Sequence, residues 1–407
     1  MSETAFELPA ELEEFRSVVR RIAEERIEPR AADIDQTGEW PEDVYKVLVE
    51  NELMAVGYPE ELGGSGGGSL AFGLLIEELS RVSAGVSLTP LVSRLGVIPL
   101  TIAGSQEQQR EAVQGISKGE LLMSYALTEP GAGSDAAAMT TRYRVTDDGF
   151  VLTGTKRFIT GAGVSHAYAL FATKDPQLRA KGVSAFIVRR DDAGVSFGKE
   201  ERKMGIRGSP TREVILEGAE IPRDRLIGEE GTGFATAMRT LDYSRPGIGA
   251  QALGIAQGAY DVAARYSTER KQFGQRIADF QAIQFMLADM TMQIDAARLM
   301  VYRSLALCDA EDPRMTYASA AAKCFASDVA MRVTTDAVQV LGGYGYVKEY
   351  PVERFMRDAK IYQIWEGTAE IQRLVISRYI LGERRATARP KLVKDEPAAE
   401  TQHARAS

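Results

Sequence analysis

Gly131-Ala132-Gly133-Ser134-Asp135-Ala136 is the stretch on which the fold of this 407-residue chain turns. It satisfies GxGxxA, the pattern of a dinucleotide-binding βαβ unit, in which the glycines follow a strand and open a helix. The residues that come next, Thr140–Thr153, have strand character instead, so the glycines are expected to let backbone approach a ligand closely. The neighbourhood agrees with a small β domain. From Leu122 to about Gly233 the chain runs in short β-branched and aromatic segments, Tyr143–Thr146, Phe150–Thr153, Arg157–Thr160, Tyr168–Ala172, Val183–Val188 and Glu213–Leu216, separated by Gly, Pro and Asp.

Both flanks of this domain have helical periodicity. On the N-terminal side Leu12, Phe15, Val18, Val19 and Ile22 recur at helical spacing, as do Val44, Val47, Leu48 and Leu53, and Leu74, Leu75 and Leu79 continue the pattern past a Gly-rich break at 63–68. On the C-terminal side Ile283, Met286, Leu287, Met290, Ile294, Ala297 and Val301 form the single stripe a bundle helix requires, and four such stretches fit between 234 and 385. The expected domains are therefore a helical one over 1–122, a β domain over 123–233 and a helical bundle over 234–386. The Ala-, Pro- and charge-rich residues 387–407 are expected to form a mobile tail.

Composition limits the chemistry. At 44% hydrophobic the chain can bury one large core or several smaller ones, and it is expected to be soluble and globular. Its 57 acidic against 49 basic side chains give a net charge of −8, with no basic cluster suited to nucleic acid. The opening Met-Ser-Glu-Thr leads into a charged helix, and no apolar run is read as near 18 residues, so a cytoplasmic, non-membrane protein is expected. Cys308 and Cys324 lack metal-ligand spacing and read as small core thiols. With only His166 and His403 present, a Ser-His-Asp device has one candidate and a His-ligated metal centre too few, so no metal is expected. Catalysis is left to carboxylates or a bound organic cofactor.

Near the C-terminus, Arg357-Asp358-Ala359-Lys360-Ile361-Tyr362-Gln363-Ile364-Trp365-Glu366-Gly367-Thr368-Ala369-Glu370-Ile371-Gln372-Arg373 reads as helical. A carboxylate wedged between Trp365 and Gly367 can be raised towards neutrality by apolar contact, which suits removal of a weakly acidic carbon-bound proton. An ordinary helical Glu paired with Lys360 or Arg373 is the alternative.

This segment, together with Leu127-Thr128-Glu129-Pro130-Gly131-Ala132-Gly133-Ser134-Asp135 and Gln339-Val340-Leu341-Gly342-Gly343-Tyr344-Gly345, resembles the acyl-CoA dehydrogenase family, its straight-chain and medium-chain members in particular. The similarity spans roughly residues 10–383. It implies an α+β fold with an N-terminal helical domain, a middle β-barrel and a C-terminal four-helix bundle, with FAD as cofactor. Glu366 is then the catalytic base: it takes the α-proton while the β-hydrogen leaves as hydride to the flavin, giving a trans-2-enoyl-CoA. Electrons pass to an electron-transfer flavoprotein. In some relatives the base sits at the position of Ser244, so this chain carries one base in one place.

The same resemblance assigns Tyr125, Leu127, Thr128, Gly133, Ser134, Phe158, Ile159 and Thr160 to the flavin, with Phe158 as the stacking aromatic and Thr160 reaching the ring. Arg270, Gln272, Phe273, Phe280, Gln281, Gln339, Gly342, Gly343, Thr368 and Glu370 complete the cofactor set. Arg270 and the Gln339–Gly343 stretch would serve the flavin of a neighbouring subunit, which implies a homo-oligomer, either a dimer or a tetramer built as a dimer of dimers. For the acyl-CoA substrate it assigns Ser134, Ser87, Leu91, Asp242, Ser244, Arg245, Trp365 and Gly367. Leu91 gives the acyl cavity an apolar floor that favours an aliphatic or aromatic acyl group. Arg94, on the same helical face as Ser87 and Leu91, can instead greet a distal carboxylate. The rival readings are a flavin oxidase using oxygen, a desaturase acting on a carrier-bound or dicarboxyl acyl thioester, and a catalytically silent flavoprotein.

Overall fold

Glu11 and Glu13 open the first helix and Arg20 and Arg21 close it, an arrangement that complements the helix dipole and leaves Val19 to pack inward. This helix, α1 (Ala10–Ile22), begins the computed structural model of the protein, which describes residues 7–382. A wide π turn, Ala23–Ile27, leads into α2 (Glu28–Thr37), followed by α3 (Glu42–Glu50), α4 (Gly68–Ser80), α5 (Ala84–Ala103) and α6 (Gln106–Ser117). A reciprocal capping box fixes the start of α6: the Gln108 N–H donates to the Ser105 hydroxyl, and the Ser105 N–H donates to the Gln108 side chain.

Helix α5 corrects one sequence expectation. It is long and apolar enough, at mean hydropathy 1.5, to cross a membrane by length and composition alone, whereas no apolar run near 18 residues is expected from the sequence. In the fold 72% of its most apolar window lies buried inside the protein, where it packs on α4, α6 and the bundle, as a core helix does.

The middle of the chain forms an eight-stranded sheet: β1 (Met123–Ala126), β2 (Arg142–Val145), β3 (Gly149–Thr160), β4 (Ala167–Thr173), β5 (Val183–Arg189), β6 (Val195–Phe197), β7 (Thr211–Pro222) and β8 (Leu226–Ile227). The order is β6-β7-β3-β2-β4-β5-β8, with β1 added in parallel to β4, so the ladder stays open at β6 and β8. The sheet curls over its own core of Tyr143, Phe150, Tyr168 and Phe186. The two segments expected at Phe150–Thr153 and Arg157–Thr160 are one strand, bent by register shifts at Leu152/Thr153 and Lys156/Ile159.

After the sheet come α7 (Gly233–Glu269), the hairpin β9 (Lys271–Gln272) and β10 (Gln275–Arg276), α8 (Gln281–Asp309), α9 (Met315–Leu341), α10 (Val352–Ala359) and α11 (Ala369–Ile380). Helices α7, α8 and α9 pack together around Ala-rich faces, and the shorter α11 takes the fourth place against α9. Small residues permit that closeness. A Cβ on Gly254 would meet the Glu77 carbonyl at 2.2 Å, and one on Gly258 the Arg81 carbonyl at 2.1 Å, so α7 runs directly against α4. The expected mobile tail and His403 lie outside the described residues. His166 has a structural place: its Nδ1 accepts the Leu122 N–H at 2.9 Å.

Candidate active site

The segment 357–373 is not one helix. Helix α10 ends at Ala359, a 3-10 turn covers Lys360–Gln363, and α11 begins at Ala369, capped by the Thr368 hydroxyl, which accepts the Ile371 N–H at 3.2 Å. Glu366 lies in the connecting turn with φ +49°, followed by Gly367 at φ +90°. Two consecutive left-handed residues are strained unless their surroundings hold them. Here they are held. Gln372 Nε2 donates to the carbonyls of both Glu366 and Gly367 at 3.0 Å, and Lys323 Nζ donates to the Gly367 carbonyl at 2.7 Å.

The Glu366 side chain makes no ion pair with Lys360 or Arg373. Its Oε2 accepts the Ser244 hydroxyl at 2.6 Å, while Oε1 has no partner among the described residues. Burial pushes the carboxyl above the usual carboxylate range; the Ser244 hydrogen bond and the charges of Lys323 and Arg245 pull the other way. Lys323 is fully buried on α9, and its burial brings the ammonium down to about 8 against the field of Glu366. The phenol of Tyr125, on β1, is raised by burial and then by the Glu366 charge. The Glu366 N–H has no acceptor among the described residues, so it remains available to a ligand.

The glycine-rich loop follows β1. Glu129 anchors it: its carboxylate accepts from Lys156 Nζ at 2.7 Å, from the Thr140 N–H and hydroxyl, and from the Thr141 N–H. Burial alone would raise Glu129, but Lys156 and these donors bring it down to about 2. Lys156 also donates to the Leu127 carbonyl at 3.1 Å, and the Arg157 N–H donates to the Thr128 carbonyl at 2.8 Å. The loop is thereby tied to β3. At the bulge between Lys156 and Ile159, Phe158 adopts φ +57° and turns its ring outward, 58% exposed, with the Arg157 guanidinium 5.0 Å from its centre. Ile159 points into the sheet core, Thr160 is half-buried, and Ser134 is exposed.

A second group of expected cofactor residues gathers at the far end of the bundle. Arg270 ends α7 with its guanidinium 5.4 Å from the Tyr344 ring and no ion pair among the described residues. Phe273 is 92% exposed on the hairpin turn, edge-on to Phe280. Gln272, Gln281, Gln339, Gly342, Gly343 and Glu370 are exposed as well.

These observations fit a flavin nucleotide. A Cβ added to Gly131, Gly133, Gly342 or Gly343 would meet nothing within 4 Å, so bare backbone faces open space beside an outward aromatic at one place and an unpaired guanidinium at the other. Among the described residues no cluster of three His, Cys, Asp or Glu is placed to hold a metal ion.

The expected substrate residues divide. Leu91 and Ser244 line a narrow cleft between α4, α5, α7 and α8. Asp242 and Arg245 pair with each other at 2.9 Å, nearly buried, with Thr316 donating to Asp242 at 2.8 Å and the Arg245 Nε left without a partner. Trp365 packs edge-on against Tyr362, its ring centre 5.2 Å away, and its buried indole N–H lacks an acceptor. Ser87 requires correction. Its hydroxyl donates to the Ala84 carbonyl and accepts from Ser80 and Gln251, fully buried between helices and away from the cleft, because the face that carries it is covered by α7. Lys323, Gln372 and the Glu129–Lys156 pair were not assigned from sequence. A lone Lys inside the apolar run around 323 was the available signal, since a buried ammonium requires a fixed acceptor.

Comparison with known proteins places this geometry. The family models described as the acyl-CoA dehydrogenase N-terminal, middle and C-terminal domains match residues 9–120, 124–219 and 231–381. A protein named probable acyl-CoA dehydrogenase FadE25, from Mycobacterium tuberculosis, is 52% identical over 376 residues, covering 92% of this chain and 97% of the relative. The three-dimensional structure of butyryl-CoA dehydrogenase from Megasphaera elsdenii superimposes with TM-score 0.90 at 40% identity, covering 93% of this chain and all of that one. A chain from structural work on the electron transferring flavoprotein of Acidaminococcus fermentans matches with TM-score 0.91 at 43% identity over 93% of this chain and all of that one. With all three domains matched in sequence and in fold, the chain belongs to the acyl-CoA dehydrogenase family and is an oxidoreductase of that kind.

Proposed function

We propose that this protein converts an acyl-CoA thioester to the trans-2-enoyl-CoA, with Glu366 abstracting the α-proton. The observation that carries the reading is the state of that carboxylate. It is half-buried, free of any ion pair among the described residues, held through one oxygen by Ser244 and open at the other, on a turn fixed by Gln372 and Lys323. A base raised by burial is matched to a weakly acidic C–H. The unsatisfied Glu366 N–H would donate to the thioester carbonyl as enolate charge develops, a kind of contact worth on the order of 3 kcal/mol.

FAD, when bound, supplies the two-electron acceptor that takes the β-hydrogen as hydride. Thr128, Gly133, Ser134, Phe158 and Thr160 would hold its ring end. Arg270, Phe273, Gln339, Gly342 and Gly343 would meet the pyrophosphate and adenosine of a partner chain's FAD, making the working protein a homo-oligomer. An electron-transfer flavoprotein is the proposed acceptor of the electrons. Supporting that is the match to a chain from work on such a protein.

Anaerobic titration of the purified flavoprotein with a panel of acyl-CoAs, followed by flavin absorbance, tests the reading. Bleaching that is stoichiometric with enoyl-CoA formation is the expected result. An unchanged spectrum with every thioester would reject it.

A further inference from the structure

We propose that the acyl cleft ends at Arg94 and is built for thioesters whose far end carries a carboxylate. The inference rests on the dehydrogenase reading and names the substrate class for it. Helix α5 sets Leu91 and Ile98 along one wall of the cleft; Phe72 of α4 and Gly247 of α7 form the other, and Ser244, which holds the base, also lines it. That middle section is apolar: a Cβ on Gly247 would stand 3.5 Å from Leu91 Cδ1 and 3.7 Å from the Phe72 ring. Among the described residues Arg94 is the only charged side chain lining the cleft.

The surroundings of Arg94 supply neutral acceptors and aromatic faces but no anion. Nη1 donates to the Gly57 carbonyl at 2.7 Å, Nη2 makes a long contact to the Ser69 hydroxyl at 3.4 Å, and the guanidinium lies 4.5 Å from the Phe72 ring centre and 5.6 Å from that of Tyr58. No carboxylate among the described residues pairs with it. The acidic group whose charge reaches it, Asp309, already accepts the Ser69 and Leu70 N–H groups at the start of α4, at 2.7 and 3.2 Å. Beside the same guanidinium the Tyr58 phenol is buried and has no hydrogen-bond partner.

An arginine stays protonated at physiological pH, and a buried charge without a counter-ion is costly. Arg94 nonetheless lines a cleft that also holds Ser244, the hydrogen-bond partner of Glu366, with part of its surface open. A planar, bidentate acceptor matches its fork, and a carboxylate is such an acceptor. The chemistry at the other end of the substrate is unchanged. The α-proton goes to Glu366 and the β-hydrogen leaves with its electron pair to the bound flavin, while the distal carboxylate is neither consumed nor altered.

The test uses the FAD-loaded protein with glutaryl-, adipyl- and suberyl-CoA against hexanoyl- and octanoyl-CoA. Anaerobic flavin bleaching gives kcat/KM, and calorimetry on the Glu366→Gln holoprotein gives Kd without turnover. In the wild type the best dicarboxylic thioester should exceed the best aliphatic one by about tenfold or more in both quantities. Arg94→Leu should invert that order, and Arg94→Lys should keep it with a smaller margin. Bleaching by the aliphatic thioesters alone, or an order that Arg94→Leu leaves untouched, overturns the Arg94 assignment while the dehydrogenase reading stands. Bleaching by neither class sinks the reading, and the inference with it. The wild-type comparison decides the matter even if the Arg94 variants fail to fold.

Discussion

The Ser244 hydroxyl donates to Glu366 Oε2 across 2.6 Å, joining the long helix α7 to the turn between α10 and α11, 122 residues further along the chain. A hydroxyl so placed stabilises the carboxylate form and sets the direction in which the unpaired oxygen faces. It opposes the burial that raises the carboxyl. Ser244 is therefore placed to position the proposed base.

Glu366 accepts a proton only when ionised, so flavin reduction should rise with pH through its titration, at a pH above the usual carboxylate range. Ser244→Ala removes a donor that favours the charged form and should move the whole profile to higher pH. Rates on the acidic side should fall several-fold while the alkaline plateau changes less. Stopped-flow reduction from pH 5 to 9 checks this, and a superimposable profile would show that Ser244 does not tune the base.

The Glu129–Lys156 pair, fully enclosed at 2.7 Å, should matter to stability more than any surface ion pair. Glu129→Gln leaves a buried ammonium without its anion and should cost about 3–5 kcal/mol in denaturant unfolding. The acid limb follows from the sign. Glu129 sits at about 2 in the folded chain against an ordinary 4.5, so its contribution is present above pH 4.5 and lost as pH falls towards 2. The variant should show a flatter loss of stability in that window.

If, as proposed, Arg270 meets the pyrophosphate of a partner chain's FAD, Arg270→Ala should lower FAD content and loosen the oligomer together, because a shared pyrophosphate couples cofactor binding to assembly. Flavin absorbance per chain and analytical ultracentrifugation measure the two effects separately. Gln339→Ala should act in the same direction more weakly. Full flavin content in an unchanged assembly would refute the shared site.

The layer order was legible from the sequence because periodicity changes sharply near Leu122 and Gly233, from helical to alternating and back. The candidate base was legible from the residues around it. Its conformation was not. Apolar spacing carried a helical reading through Ile364 and Trp365, although Gly367 followed by Thr368, a left-handed residue and then a cap, already marked a break and a new helix. The resemblance assigns Ser87 to the acyl cavity beside Leu91, yet likeness in sequence does not say which side of a nearly all-apolar helix another helix will cover. Arg94, Pro90 and Pro99 interrupt the apolar run of helix α5 in sequence without ending the helix in the fold. Lys323, Gln372 and Ser244 converge on Glu366 from three different helices, a meeting that depends on the packing of α7, α9 and α11 and leaves no local trace.

Glu366→Gln tests the central claim most directly. The amide preserves size and can still accept the Ser244 hydrogen bond, but it cannot take a proton from carbon. The variant should purify with FAD and bind acyl-CoA with near-normal affinity, while anaerobic stopped-flow shows flavin reduction slowed by roughly three orders of magnitude or more. Reduction at the wild-type rate would contradict the assignment and place the base elsewhere.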